Sequence, residues 1–381
     1  MINGLRLKQV RELLGLTQGE LALELAITQS AVAYLEGGYL QPSQESLLSI
    51  CKYTGFPQSF FEDIEVTAFP YGSLLYRSRK SVDASEKTKA NRYGQFMFEV
   101  AEKLSQKLRS HQFTLPKGRI DAITAARITR SNLGYTPDHP IDDLIYDLER
   151  NGLFIFKSPI LFPKVDAFSV WAGHDNKKPV IVLTGDSYAD RIRFSVAHEL
   201  GHLILHSGLF GDIQEFEHEA DIFAAELLMP EEIMSSIVVE PFTINKAARI
   251  KAKWKVSISA IVKRAHDLQL ISDNTYKSLF VQISQQKKKL QALSSSEIPE
   301  RPRSLRGMAE AIYGQEIDYK QFSEDTKFPV FLLKQFMEAQ ASREEYTRQV
   351  HQEKQSYQEH EGKILEFPLD KKANGKKAKL Q

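Results

Sequence analysis

The chain has a single cysteine among its 381 residues, Cys51. That excludes an intramolecular disulfide and any cysteine-built zinc site, and it suits the cytoplasm. A metal site here must therefore be made from His, Asp and Glu. An excess of one charge is also lacking: 50 Lys and Arg stand against 49 Asp and Glu, a formal charge of +1. Overall charge thus selects no partner. No run of 18 apolar residues occurs, so neither a spanning helix nor a membrane partner is expected. The opening MINGLRLKQVREL lacks an uninterrupted apolar core and a small-residue cleavage site, and does not read as a signal peptide. There is no internal repeat. A chain of this length holds two or three domains.

What is present divides along the chain. Residues 1–65 read as short helices with tight turns. Thr17 can cap QGELALELA, with Glu20 at the capping-box position, and Thr28 can cap QSAVAYLEGG. Ser43 opens and Gly55 stops a further helix. Short helices joined by a few residues follow the helix-turn-helix plan. Gln29 and Ser30, at the start of the presumed recognition helix, can touch base edges. Gln18, Thr28 and Tyr34 are further candidate DNA contacts. Yet residues 1–62 hold four basic residues and six acids, and Gln29–Glu36 contains no Lys or Arg. Since phosphate neutralisation supplies most non-specific affinity, this domain either binds DNA weakly alone or docks a similar protein.

Residues 66–135 carry thirteen Lys and Arg against five acids. The expectation is a basic, solvated helical connector, which would also be able to add phosphate contacts. The period then changes. GLFIFKSP, AFSVWAG and KPVIVLTG are strand-like, with HDNKK as a turn. Helices are expected over 188–206, 213–229 and several stretches of 242–290, so residues 136–290 form one α+β unit. SSSEIPERP, residues 294–302, reads as a linker, residues 303–365 as a helical region, and residues 366–381 as a disordered basic tail.

RFSVAHELGHLILH, residues 193–206, concentrates three of the ten histidines. Ser187 and Asp190 suit the start of this helix and Gly208 its end. Residues four apart lie on one helical face, so His198 and His202 can aim two imidazoles at one zinc. Glu199 lies about 100° round the helix, close enough to act as base without being a ligand. This is the HExxH arrangement. His206 lies about 12 Å of helical rise beyond His198, too far to join the same metal. It is expected to serve as a helix-end cation or as a donor behind the ligands.

A third ligand is still required, and EFEHEADIFAAELLMP supplies the acids. Phe216, Ala220, Phe223, Ala224 and Leu227 define the buried stripe. With Ala220 at zero, Glu217 falls at about +60°, Asp221 at about +100°, Glu219 at about −100° and Glu226 at about −120°. Only Glu217 lies within the buried sector, where a carboxylate needs a partner such as zinc. Asp221, one turn on, can hold a ligand histidine from behind. Three protein ligands and an open position describe a catalytic site. There the metal acidifies water and polarises a carbonyl while Glu199 takes a proton.

These residues resemble the ImmA/IrrE family of metallopeptidases, on RFSVAHELGHLILH, EHEADIFAAELLMP and WKVSISAIVKRAHDLQLIS. LTQGELALELAITQSAVAYLEGGYLQPS resembles a phage-repressor (XRE) helix-turn-helix. Together the resemblances cover most of residues 1–280. They imply a multidomain chain: an all-α helix-turn-helix bundle, an α+β zincin-like metallopeptidase domain and a helical C-terminal region. They also imply Zn²⁺ on His198, His202 and Glu217, with Glu199 as base. The implied activity is site-specific cleavage of a helix-turn-helix repressor or antitoxin, after a stress or phage-related signal. Homodimer formation on DNA is a further expectation. The alternative is a non-proteolytic regulator or antitoxin whose zinc fold senses or binds.

Overall fold

The computed structural model describes residues 1–75, 83–108, 116, 120–162, 165–185, 189–207, 211–286, 300–342 and 345. Ser187, Gly208, most of the expected linker and the basic tail lie outside the described residues.

The N-terminal bundle is α1 (Gly4–Leu14), α2 (Gln18–Glu24), α3 (Gln29–Glu36), α4 (Gln44–Thr54) and α5 (Gln58–Phe61). Its boundaries follow the capping chemistry. Thr17 and Glu20 form a reciprocal capping box, and Thr28 accepts from the Ala31 amide. Gly15 and Gly55 stop their helices in the left-handed conformation. The long helix α6 (Ala84–Lys107) follows, then α7 (Ala122–Asn132) and α8 (Leu144–Arg150).

Three strands come next: β1 (Phe154–Lys157), β2 (Ala167–Ala172) and β3 (Lys178–Leu183), in the spatial order β1-β3-β2. β1 runs parallel and β2 antiparallel to β3, with Ser169 opposite Ile181. Because strand side chains alternate between faces, this small sheet separates two cores. Phe168, Val170, Val180 and Val182 face one core; Ala167, Ile181 and Leu183 face the other.

The second core is built by α7, α8, α9 (Ala189–Leu205), α10 (Ile213–Leu228), α11 (Glu231–Ile237), α12 (Ile244–Trp254), α13 (Ile258–Asp267) and α14 (Asp273–Gln285). The first core unites the N-terminal bundle, α6 and three C-terminal helices, Ser304–Tyr313, Tyr319–Thr326 and Val330–Ala339. Phe328 from the C-terminal region packs 5.2 Å from Phe60 and 5.3 Å from Phe96, ring centre to ring centre. Among the described residues no helix is long and apolar enough to cross a membrane.

The solvated connecting helix expected over 66–135 is corrected here. Over Ala84–Lys107 it is the central helix of the first core, burying Phe96, Met97, Phe98, Val100, Ala101 and Leu104. A charge count ignores helical phase, and here three of the basic residues of α6 face acids of neighbouring elements. Arg92 pairs with Glu12 at 2.6 Å, Lys103 with Asp63 at 3.2 Å, and Lys107 with Asp325. Deeper in, Arg6 pairs with Glu99 at 2.8 Å, both nearly inaccessible to water. Ion pairs of both polarities thus tie α6 to the N-terminal bundle and to the C-terminal helices. Arg77, Arg79, Lys80, Arg109, Lys117 and Arg119 lie outside the described residues.

Candidate metal centre

α9 and α10 make the closest helix pair of the second core. Their approach depends on Gly201, where an added Cβ would lie 3.1–3.3 Å from Phe223 and the Ala220 backbone. With Ala220 pressed onto α9, the acids on either side of it reach around to the histidines.

His198 and His202, one turn apart and buried, bring their Nε2 atoms within 3.0 Å of each other. Glu217 Oε1 lies 3.2 Å from His202 Nε2, and Oε2 lies 3.5 Å from His198 Nε2. Burial opposes ionisation of Glu217, and only imidazoles carrying protons toward it override that and hold the carboxyl well below the usual carboxylate range.

The groups behind these atoms set their protonation. Asp221 Oδ1 lies 2.9 Å from His198 Nδ1, so that nitrogen carries the proton and Nε2 offers a lone pair. Burial raises the Asp221 carboxyl, but His198 and Lys263 draw it below its ordinary value. On the other side, Glu219 Oε2 lies 2.9 Å from His206 Nε2, and His206 Nδ1 lies 3.0 Å from His202 Nδ1. A carboxylate at the end of this chain puts the protons on His206 Nε2 and His202 Nδ1, which frees His202 Nε2 as well. Burial holds His206 below the ordinary imidazole value, against the pull of Glu219.

Two lone pairs and a carboxylate oxygen thus converge with no proton assigned between them. Glu217 Oε1 is buried without a hydrogen-bond donor. A tetrahedral ion about 2.0–2.1 Å from each ligand atom spaces its ligands about 3.3 Å apart. The two Nε2 atoms lie 3.0 Å apart, and each has a different Glu217 oxygen nearby, Oε1 at 3.2 Å from His202 and Oε2 at 3.5 Å from His198. The residues fit a small N₂O-bound divalent metal. His198, His202 and Glu217 are also the group of metal-ligating side chains found among the described residues.

Glu199 points from α9 toward the sheet and is completely buried. Its Oε2 accepts from Ser73 Oγ at 2.7 Å and from Ser169 Oγ at 2.8 Å. Sequence reasoning missed both serines. Ser169 had a signal, being a polar residue in the middle of an apolar strand; Ser73, 126 residues away, had none. It also missed Glu219, assigned by phase to the edge opposite Glu217. α10 straddles α9, so both edges meet a histidine. The expectation that only Glu217 falls in the buried sector is corrected too, because Glu217 is half-buried and Glu226, placed past the far edge, is buried and neutralised by Arg127 and Arg264.

The candidate DNA contacts lie elsewhere. Thr28, Gln29, Ser30 and Tyr34 are exposed on α3. Gln18 is half-buried and donates to Glu36, which Arg11 also holds.

Residues 148–266 match the family described as IrrE N-terminal-like domain, Peptidase_M78, and residues 7–57 match the helix-turn-helix family HTH_3. No curated protein matches the chain. The matched regions enclose α9 with α10 and α2 with α3 respectively. A metallopeptidase-type domain therefore shares this chain with a helix-turn-helix of the DNA-binding type.

Proposed function

We propose that this chain is a zinc-dependent, site-specific endopeptidase that cleaves a regulatory protein, a repressor or antitoxin built on a similar helix-turn-helix. The observation that carries the reading is the convergence of His198, His202 and Glu217 beside a buried Glu199. Two imidazoles and one carboxylate suit zinc and leave a coordination position for substrate. When bound, zinc polarises the scissile carbonyl and acidifies water. Glu199 takes the proton and delivers it to the leaving amine. Asp221, and the pair His206 and Glu219, keep the ligand nitrogens unprotonated toward the metal. The N-terminal domain brings the enzyme to DNA, where its substrate sits, with Gln29 and Ser30 reaching the bases.

A regulator that only senses or binds through the zinc fold would have no use for a base in this position. Glu199→Gln separates the readings. The variant should keep zinc and fold while cleavage of repressors encoded beside this gene falls by about 10²–10⁴. Undiminished cleavage, or normal regulation of the target gene in cells carrying the variant, would sink the proteolytic mechanism.

A further inference from the structure

Resting on the peptidase reading, in which an extended substrate lies along the outer edge of β2, we propose that the chain's own segment Ala68–Ser73 occludes that edge. The protein is then latent, and substrate enters only as this segment leaves.

β2 pairs with β3 on one side only. In an antiparallel pair every second residue turns its N–H and C=O away from the partner. Such an edge accepts an extended peptide by strand addition. This edge runs beside the metal centre: Ser169 reaches Glu199, and the Trp171 indole donates to the Leu203 carbonyl of α9 at 3.0 Å. A peptide lying along it would present its carbonyls to the metal ligands.

The segment bonds to this edge at Ser169 and, just past its end, at Gly173. Gly173 N donates to Ala68 O at 2.9 Å, and Ser169 N donates to Ser73 Oγ at 2.8 Å. Gly72 lies on the Ser169 carbonyl so closely that a Cβ there would be 2.1 Å from its oxygen, and its φ of +52° favours glycine. The Ser73 hydroxyl then goes on to Glu199, so one side chain closes both the edge and the base. What is left of the cleft, bounded by Pro70, Gly72, Trp171, Asn176, His202 and His206, is about 270 Å³. That is below the roughly 300–1,000 Å³ of a small-molecule pocket, let alone a strand of substrate. The segment's other side is held by α6, through Gln95 to Thr67 O and Asn91 to Pro70 O. Opening therefore competes with contacts to the helix that also carries the N-terminal bundle.

The test uses the full chain loaded with zinc and a fluorescent tripeptide hydroxamate, whose peptide part needs the β2 edge. Gly72→Ala drives the segment off that edge without altering a ligand or the base. It should bind the probe at least about tenfold more tightly than the wild type, because the closed population no longer lowers the apparent affinity. In the wild type, saturating probe should speed amide exchange across residues 68–73, a readout that needs no variant. Equal affinity of the two zinc-loaded proteins, or probe binding that leaves exchange over 68–73 unchanged, overturns the proposal. Failure of both proteins to take up zinc would instead bring down the peptidase reading, and this inference with it.

Discussion

Buried carboxylates are held in two ways, and the α9–α10 side of the sheet shows both, since Glu226 there has Arg127 and Arg264 and Asp190 has Lys251. Around α6, each buried carboxylate described above faces a cation: Glu99 has Arg6, Glu36 has Arg11, and Asp63 has Lys103 and Lys327. Between α9 and α10, Glu217 faces two imidazoles, and the hydrogen-bond chains behind those imidazoles direct their lone pairs toward it. The first arrangement is electrically complete and holds three parts of the chain together. The second is an arrangement that a bound cation would complete. Burying ionised groups is costly unless they are paired, so the first pattern marks structure and the second marks chemistry.

That contrast breaks most sharply at the three proposed ligands. His198→Ala, His202→Ala or Glu217→Ala should each reduce zinc from one per chain to none by elemental analysis, while the fold persists. Glu99→Ala should do the opposite. It leaves Arg6 buried without its partner, which should cost about 3–5 kcal/mol in denaturant unfolding, with zinc content untouched. Zinc loss from Glu99→Ala without destabilisation would mean the two arrangements are not separable in this way. Glu219→Ala is expected to lie between these extremes. It releases His206 and so loosens the protonation state of His202, weakening zinc by about 10–100-fold in a competitive chelator titration. If Glu219→Ala abolishes zinc and Glu217→Ala retains it, the ligand assignment on α10 must be exchanged.

The contrast also separates what the sequence discloses from what it hides. Short apolar runs in AFSVWAG and KPVIVLTG show where the sheet lies, because strands buried on both faces read as nearly continuous hydrophobic segments. Histidines four apart belong to one helix, and local geometry brings them together. Phase on α10 placed Glu217 beside the His pair but failed for Glu226, which it put at the far edge and which the structure buries against Arg127 and Arg264. The role of Glu219 depends on how two helices cross, which neither sequence encodes by itself. Ser73 reaches Glu199 from beyond the matched peptidase region, through a close approach that only the folded chain creates. The ion pairs around α6 stayed hidden for the same reason: opposite charges were counted in separate segments, although folding sets them face to face.

The smallest effect should come from Asp63, where the first pattern is at its most exposed. Its carboxylate lies 3.2 Å from Lys103 and 3.4 Å from Lys327, with Arg6 at 3.9 Å. Burial pushes the carboxyl up, but Lys103, Lys327 and Arg6 outweigh it and hold it below its ordinary value. A carboxyl depressed in the folded state contributes stability above its unfolded pKa of about 3.9 and loses that contribution as pH falls through the depressed value. Both lysines remain partly in water, so the contribution at pH 7 should be about 1 kcal/mol or less. Asp63→Asn should therefore be slightly less stable than the wild type at pH 7, and the gap should narrow as acid protonates the wild-type carboxyl. Raising the salt concentration at pH 7 should narrow it too, because the lysine heads are screened. A gap that stays constant from pH 7 to pH 3 would assign Asp63 a packing role and remove it from the ion pairs around α6.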